Sequence, residues 1–208
     1  MSLIGHLDLA KLFDRAIRRA SIPVTYSGGF HPAPRIMIAN ALPLGSTSTG
    51  EIADFELTTI MDEAEFHTKL AAQLPADIPI YRVEAVDLKQ PAASALITQA
   101  EYLITISSTS ETPPQWETWI TAVLASQEII QDKKSKSGKN TQINLRDRLY
   151  ELELLNVVGD RDVELRYVGS CANDGTLLRP EQMVFMLEQV SGIELQLVVV
   201  VRSRLILE

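Results

Sequence analysis

Residues 156–168, Asn156-Val157-Val158-Gly159-Asp160-Arg161-Asp162-Val163-Glu164-Leu165-Arg166-Tyr167-Val168, read as two β-strands folded back on each other. Gly159-Asp160 is a two-residue turn signal, because glycine reaches the positive φ that a tight hairpin requires. Upstream of the turn, a strand lies within Ile143–Val158; downstream, a strand spans Val163–Val168. Working outward, Glu101–Ser107 is a strand, and Pro114–Ser126 is a helix with Trp116, Ile120 and Leu124 on one face. A strand at Glu128–Lys133 precedes the polar turn Lys134–Asn140. On the other side Arg179-Pro180-Glu181 opens a helix through Val190, since proline fits the first helical position. Ile193–Leu207 closes the chain as a long strand. The order strand–helix–strand–strand–helix–strand predicts a ferredoxin-like (split βαβ) lobe, with both helices on one face of an antiparallel sheet.

The first half carries most of the same order. Leu9, Phe13, Ile17 and Ala20 recur at helical spacing over Leu7–Ala20, and Pro23 ends that helix. Strands at Arg35–Leu42 and Glu51–Thr58 follow. Asp62 caps a helix over Glu63–Leu74, and Ile78–Leu88 is a further strand. The predicted fold is therefore α+β, two tandem ferredoxin-like lobes at residues 1–90 and 98–208, the first lacking its opening strand. Lys89–Thr98 connects them. An opening strand is central in such a sheet, so its loss should leave a gap or recruit a substitute; Ile22–Tyr26 is the spare β-prone segment.

At 208 residues, 46% apolar and 22% charged, the chain has ordinary globular composition. The longest apolar run, Ile193–Val201, is broken by Glu194 and Gln196 and falls short of the ~20 residues a bilayer-spanning helix needs. A single cysteine, Cys171, excludes an internal disulfide and any iron–sulfur or zinc cluster built on this chain's thiols. These features predict a cytoplasmic protein without membrane partners. The net charge of −8 argues against general nucleic-acid binding, yet residues 1–45 hold an excess of three positive charges. Lys133, Lys134, Lys136, Lys139, Arg146 and Arg148 make a second basic stretch. Such local faces suit one anionic partner or are simply solvated.

The candidate site lies between Gly5 and Gly45. His6 and Asp8 stand at a helix start, where they either cap free N–H groups or take part in acid–base chemistry, with His31 as a further candidate. Lys11, Arg15 and Arg18 share one helical stripe, either a phosphate grip or an ordinary solvated face. Tyr26, Phe30 and His31 flank Gly28 and Gly29 in a loop ending at Arg35. The aromatic rings offer stacking faces, and the glycines permit positive φ or close approach by a ligand.

Gly5-His6-Leu7-Asp8-Leu9, Phe13–Ala20, Ile22–Arg35 and Ala41-Leu42-Pro43-Leu44-Gly45 resemble the signature of the radical-SAM-linked domain of unknown function. Ile143-Asn144-Leu145-Arg146 and Leu178-Arg179-Pro180-Glu181 resemble that family's second half, so the likeness covers nearly the whole chain. Two positions depart from the pattern: Gly5 stands where the family has serine, and His31 where it has asparagine. The family also has a strand and a glycine-containing turn ahead of the first motif, so Met1-Ser2-Leu3 is expected to begin a fragment of a longer polypeptide. The resemblance implies a radical SAM protein or domain as partner, encoded near ribonuclease G, and with it RNA-related work.

The resulting expectation is an accessory domain that binds or presents RNA, or an RNA-associated protein, to a radical SAM partner. Its binding residues are His6, Asp8, Lys11, Arg15, Arg18, Tyr26, Gly28, Gly29, Phe30, His31 and Arg35. No cofactor is expected in this chain; S-adenosylmethionine and an iron–sulfur cluster belong to the partner or an upstream domain. A metal-free nuclease-like enzyme and a structural or dimerisation module are the competing classes, separated by RNA cleavage and by the absence of RNA affinity respectively.

Overall fold

The computed structural model describes residues 5–134, 140–172 and 174–208. In chain order the elements are α1 (His6–Arg19), β1 (Ile36–Ile38), β2 (Thr47–Ser48), β3 (Ala53–Phe55), α2 (Glu63–Ala71), α3 (Ala93–Leu96), β4 (Ile97–Ser108), α4 (Trp116–Ala125), β5 (Ile130–Lys134), β6 (Asn140–Asn144), a 3-10 turn at Arg146–Arg148, β7 (Leu149–Val158), β8 (Asp162–Ser170), α5 (Pro180–Ser191) and β9 (Leu195–Leu207). No helix among the described residues is long and apolar enough to cross a membrane. The α+β class is as expected. The chain forms two compact units: one holds residues up to Gly45 with Glu51–Leu96, the other Ser46–Gly50 with Ile97–Glu208.

In the first unit α1 buries Ala16 and Ile17 against Ile22, Val24, Phe66 and Leu70. Phe55 meets Phe13 and Phe66 edge-on at centroid distances of 5.6 and 5.4 Å, the arrangement favoured by ring quadrupoles. α1 stops where Ser21 turns left-handed (φ 52°), two residues ahead of Pro23. Asp62 caps α2, its carboxylate accepting from the N–H groups of Ala64 (2.9 Å) and Glu65 (3.1 Å), a device that stabilises a helix by about 1 kcal/mol. β1 and β3 pair antiparallel, Ile36 opposite Phe55, and Ile22–Tyr26 adds only the isolated bridges Val24↔Leu57 and Tyr26↔Pro34.

The expected strand at 78–88 is a correction: the segment enters no sheet. Pro79 lacks a backbone donor, and side chains replace strand partners at two points. His67 Nε2 lies 3.0 Å from Ile80 O, and the Ala85 N–H donates to Glu63 Oε1 at 2.8 Å. Ile80 and Val83 still pack on the core cluster.

The second unit is a five-stranded sheet ordered β2-β9-β4-β8-β7, antiparallel except for the parallel β2–β9 pair. Tyr102 faces Tyr167, Ile104 faces Leu165 and Ile106 faces Val163 across β4 and β8, and all six are buried. Period-2 alternation puts them on one face, where α4 and α5 contribute Trp116, Trp119, Ile120, Val123, Met183, Met186 and Leu187 to the core. The single strand expected within Ile143–Val158 is two: the residues before the 3-10 turn belong to β6, which pairs with β5 in a separate ribbon. That break is built by side chains. Asn144 Oδ1 accepts from the N–H groups of Ile129 and Arg146, and the Arg146 guanidinium donates to Leu149 O and Leu124 O.

Segment 46–50 is the second correction. It was expected inside the first lobe, but it lies along β9, with Thr47 opposite Val201 and Ser48 opposite Arg202. Ser48 Oγ donates to Arg202 O at 2.7 Å and the Thr49 N–H to the same carbonyl at 3.1 Å. Gly50 permits the approach: a Cβ there would stand 2.2 Å from Ser203 O and 2.6 Å from Arg204 Cα. Among the described residues the first unit holds the two-stranded β1–β3 sheet.

Opposite the helices, charges run across four strands. Glu101 on β4 accepts from Arg166 on β8 (2.8 Å) and Arg204 on β9 (3.2 Å), and Arg166 reaches Glu151 on β7 at 2.8 Å. Burial pushes the Glu101 pKa up, but hydrogen bonds from Ser203 and Arg166 and the charges of Arg166 and Arg204 outweigh it, leaving the carboxyl below the usual glutamate range. A carboxyl so lowered contributes stability that is present above its unfolded pKa of about 4.3 and lost as pH falls through the folded value. Glu101→Gln should therefore lower stability at pH 7 by roughly 2 kcal/mol, since hydrogen bonds to charged groups contribute about 1.5–3 kcal/mol, and should flatten the acid limb of the stability profile. Parallel acid limbs for the two proteins in urea titrations at pH 3–7 would contradict this.

Candidate nucleic-acid interface

The candidate surface belongs to the first unit. α1 is amphipathic, and with Ala16 and Ile17 turned to the core, Lys11, Arg15, Arg18 and Arg19 are exposed. Lys11 pairs with Asp8 at 3.5 Å and Arg18 with Asp14 at 2.9 Å. The Asp14 hydrogen bond and charge raise the Arg18 pKa further, so its guanidinium stays charged at any working pH. Arg15 and Arg19 form no ion pair among the described residues, which leaves the helix two cations in excess. His6 is the first residue of α1, and Asp8 lies in the first turn. Among the described residues His31 makes no hydrogen bond, so no acid–base pair with Asp8 is assembled.

Beyond the helix, Tyr26 and Pro34 bridge the two arms of the loop. Ser27 ties them twice: its N–H donates to Ala33 O at 2.8 Å, and its Oγ accepts from the Ala33 N–H at 3.0 Å. The tip, Gly28–Pro32, projects into solvent. Gly29 has φ 109°, a conformation that side chains strain to adopt, whereas Gly28 stays at negative φ. Phe30 is 101% exposed and His31 is exposed beside it. The Phe30 ring is thus open to solvent on both faces, as the side chain of Ile60 also is. The Arg18 guanidinium stands 5.7 Å from the Tyr26 ring centroid, which joins the helix stripe to the loop. Arg35 is set apart by a 3.0 Å ion pair with Glu56.

The structure thus groups Arg18 with Tyr26 and orders the loop that carries Phe30 and His31. Asp14 was missed as the anchor of Arg18, although its i, i+4 spacing could have revealed it. The second basic stretch separates. Lys136 and Lys139 lie outside the described residues, while Arg146 and Arg148 donate to the main-chain carbonyls of Leu149, Leu124 and Leu177 as structural ties. Leu178 is fully buried, and a Cβ on Gly169 would come within 2.9 Å of it.

Fold and surface together define a two-unit α+β protein whose first unit presents an arginine-bearing helix beside an exposed aromatic loop. The chain belongs to the family described as uncharacterized protein conserved in bacteria (DUF2344), whose pattern it matches over residues 1–180. No curated protein matches it significantly by sequence. In fold it is similar to a chain of the Cbf5-Nop10-Gar1 complex, with a TM-score of 0.56 and 12% identity over 98% of this chain and 46% of that one. A chain of an H/ACA RNP bound to a substrate RNA containing 2'-deoxyuridine is similar at TM-score 0.52 and 11% identity, covering 98% of this chain and 44% of the other. A chain of the archaeal box H/ACA sRNP Nop10-Cbf5 complex gives 0.50 and 11%, again with 98% and 44% covered. The chain spans less than half the length of these structures, and at such identity the likeness concerns the fold alone.

Proposed function

We propose that this chain is an RNA-binding accessory domain that presents its substrate to a radical SAM protein. The observation that carries the reading is the ordered loop holding Phe30 fully in solvent beside an arginine-bearing helix. Arginines draw in phosphates and exposed rings stack on unpaired bases, the combination used to hold single strands. Kinship in fold with chains from RNA–protein complexes supports it, and the likeness to radical-SAM-linked domains supports the choice of partner. The second unit's order of β4, α4, β7, β8, α5 and β9 supports its reading as a ferredoxin-like split βαβ module. S-adenosylmethionine and the iron–sulfur cluster fall to the partner in this reading, since Cys171, the only cysteine, is fully buried and offers no thiolate set for a cluster.

The test is fluorescence anisotropy with single-stranded RNA across a salt series. Arg15→Ala with Arg18→Ala should weaken binding and flatten the salt slope by about 0.7 for each phosphate no longer neutralised. Phe30→Ala should weaken binding roughly 5–150-fold, the equivalent of 1–3 kcal/mol per stacked base, with the slope unchanged. Wild-type protein that fails to bind RNA at low salt overturns the reading and leaves a protein-partner or structural module in its place.

A further inference from the structure

β7 forms one end of the second unit's sheet, and its outer edge is open. It pairs with β8 on one side, and no main-chain hydrogen bond reaches it from any other element among the described residues. At ten residues it is longer than most strands. It holds neither proline nor lysine, the residues that often blunt an exposed edge; its charges are Glu151 and Glu153. The register is irregular between Leu149 and Glu151 and again between Leu154 and Asn156, so Glu151–Leu154 is a continuous stretch open to pairing.

The two faces of that stretch differ. Leu152 and Leu154 lie opposite the buried Tyr167 and Leu165 and so face the helices. On that side a cleft of about 350 Å³ lies between β7 and the start of α4, lined by Leu154 and Val157 from the strand and by Pro114, Trp116, Glu117 and Thr118 from the helix and its approach. No residue of β8 lines it, so it opens at the edge of the sheet. On the opposite face Glu151 and Glu153 share Arg166 with Glu101, at 2.8 and 3.6 Å, and keep 57% and 61% of their side chains exposed. An adjoining hollow, which has Pro114, Trp116 and Val157 in common with the cleft, adds Glu111, Asp160 and Arg161. Among the charged residues on β7 and around the two hollows, Glu111, Glu117, Glu151, Glu153 and Asp160 thus stand against a single cation, Arg161. Such a balance repels phosphates and draws a basic partner.

We infer that the β7 edge and the α4 cleft together bind an extended basic segment of a partner protein, which adds to the five-stranded sheet as a further strand. Main-chain hydrogen bonds to Glu151–Leu154 hold the segment, and the pleat sends its side chains alternately to the two faces. Those on the helix side are apolar and enter the cleft beside Trp116 and Val157. Those on the other side are arginine or lysine and lie against Glu151 and Glu153, as cross-strand neighbours of opposite charge. A second copy is the poorer occupant. If β7 is laid antiparallel on itself with its dyad anywhere within Glu151–Glu153, glutamate falls opposite glutamate, and like charges so placed destabilise the pair. The surface belongs to the second unit, and the inference is independent of RNA binding by the first.

Fluorescence anisotropy and hydrogen exchange on the full chain test it, with a labelled octapeptide that alternates arginine with valine or leucine as probe. The expected result is binding together with roughly ten-fold slower exchange at those amides of Glu151–Leu154 that turn away from β8. Methylating one alternate set of peptide amides should abolish binding and methylating the other should leave it, because one edge of the segment meets β7. Glu151→Gln with Glu153→Gln should weaken binding roughly ten-fold and flatten its salt dependence, whereas Val157→Asn should weaken it with the salt dependence kept. Absence of binding at about 1 mM peptide overturns the inference. Equal binding by a peptide of the same composition with its arginines grouped at one end also overturns it, leaving charge attraction alone. So does protection of the outward amides in the chain by itself; if that protection is lost on dilution, a second copy is the occupant.

Discussion

Gly50→Ala should release residues 46–50 from β9 and lower the stability of the second unit by roughly 2–3 kcal/mol, the upper range for forced overpacking. The added methyl group would meet Ser203 O at 2.2 Å and Arg204 Cα at 2.6 Å. Both are main-chain atoms of a strand paired on its other side with β4, so neither can give way as a flexible side chain would. The Ser48 and Thr49 hydrogen bonds to Arg202 O break as the segment leaves. Unfolding in urea should show a lower midpoint, and exchange at the Thr49 amide should approach that of an open loop. A midpoint within error of wild type would mean that β2 contributes nothing to the sheet.

Tyr167→Ala should cost more, about 3–5 kcal/mol, as large aromatic truncations in a core do. Tyr167 and Tyr102 are 0% and 1% exposed, and their rings stack at 5.1 Å with an interplanar angle of 15°. Burial, with smaller contributions from Tyr102, Glu181 and Cys171, pushes the Tyr167 phenol well above its ordinary pKa, so it stays neutral and imposes no buried charge. Its hydroxyl donates to Leu178 O over a long 3.4 Å. Tyr167→Phe should therefore cost no more than about 1 kcal/mol. Equal losses for the two variants would place the stabilisation in the hydroxyl and not in the ring.

The sequence made the second unit legible because its signals are local and agree with one another. Gly159 takes φ 61° in the predicted hairpin turn, Pro180 opens α5, and alternation in β4 matches its buried face. Segments 46–50 and 78–88 were misread for the converse reason. Thr47-Ser48 has no apolar alternation, and what holds it is a missing Cβ at Gly50 opposite a strand some 150 residues away (|i−j| of 154 for Ser48 and Arg202). Ile78–Leu88 has strand-like composition, but composition does not state whether a neighbour is there to pair with. At the candidate site, helical spacing found the cationic stripe and the Gly-Gly signal found the loop. The approach of Arg18 to Tyr26 and the exposure of Phe30 depend on where the loop folds back, which periodicity does not encode.

The placement of β2 also bears on when the protein can finish folding. During synthesis Thr47 and Ser48 emerge well before β9 (Leu195–Leu207), the edge they pair with. Until that strand is made and seated beside β4, the early segment has nothing to bind, and closing so long a loop is slow. The second unit is thus completed by a piece of chain that precedes all its other strands. In a refolding experiment protection at Thr49 should arrive after protection throughout β4 and β8.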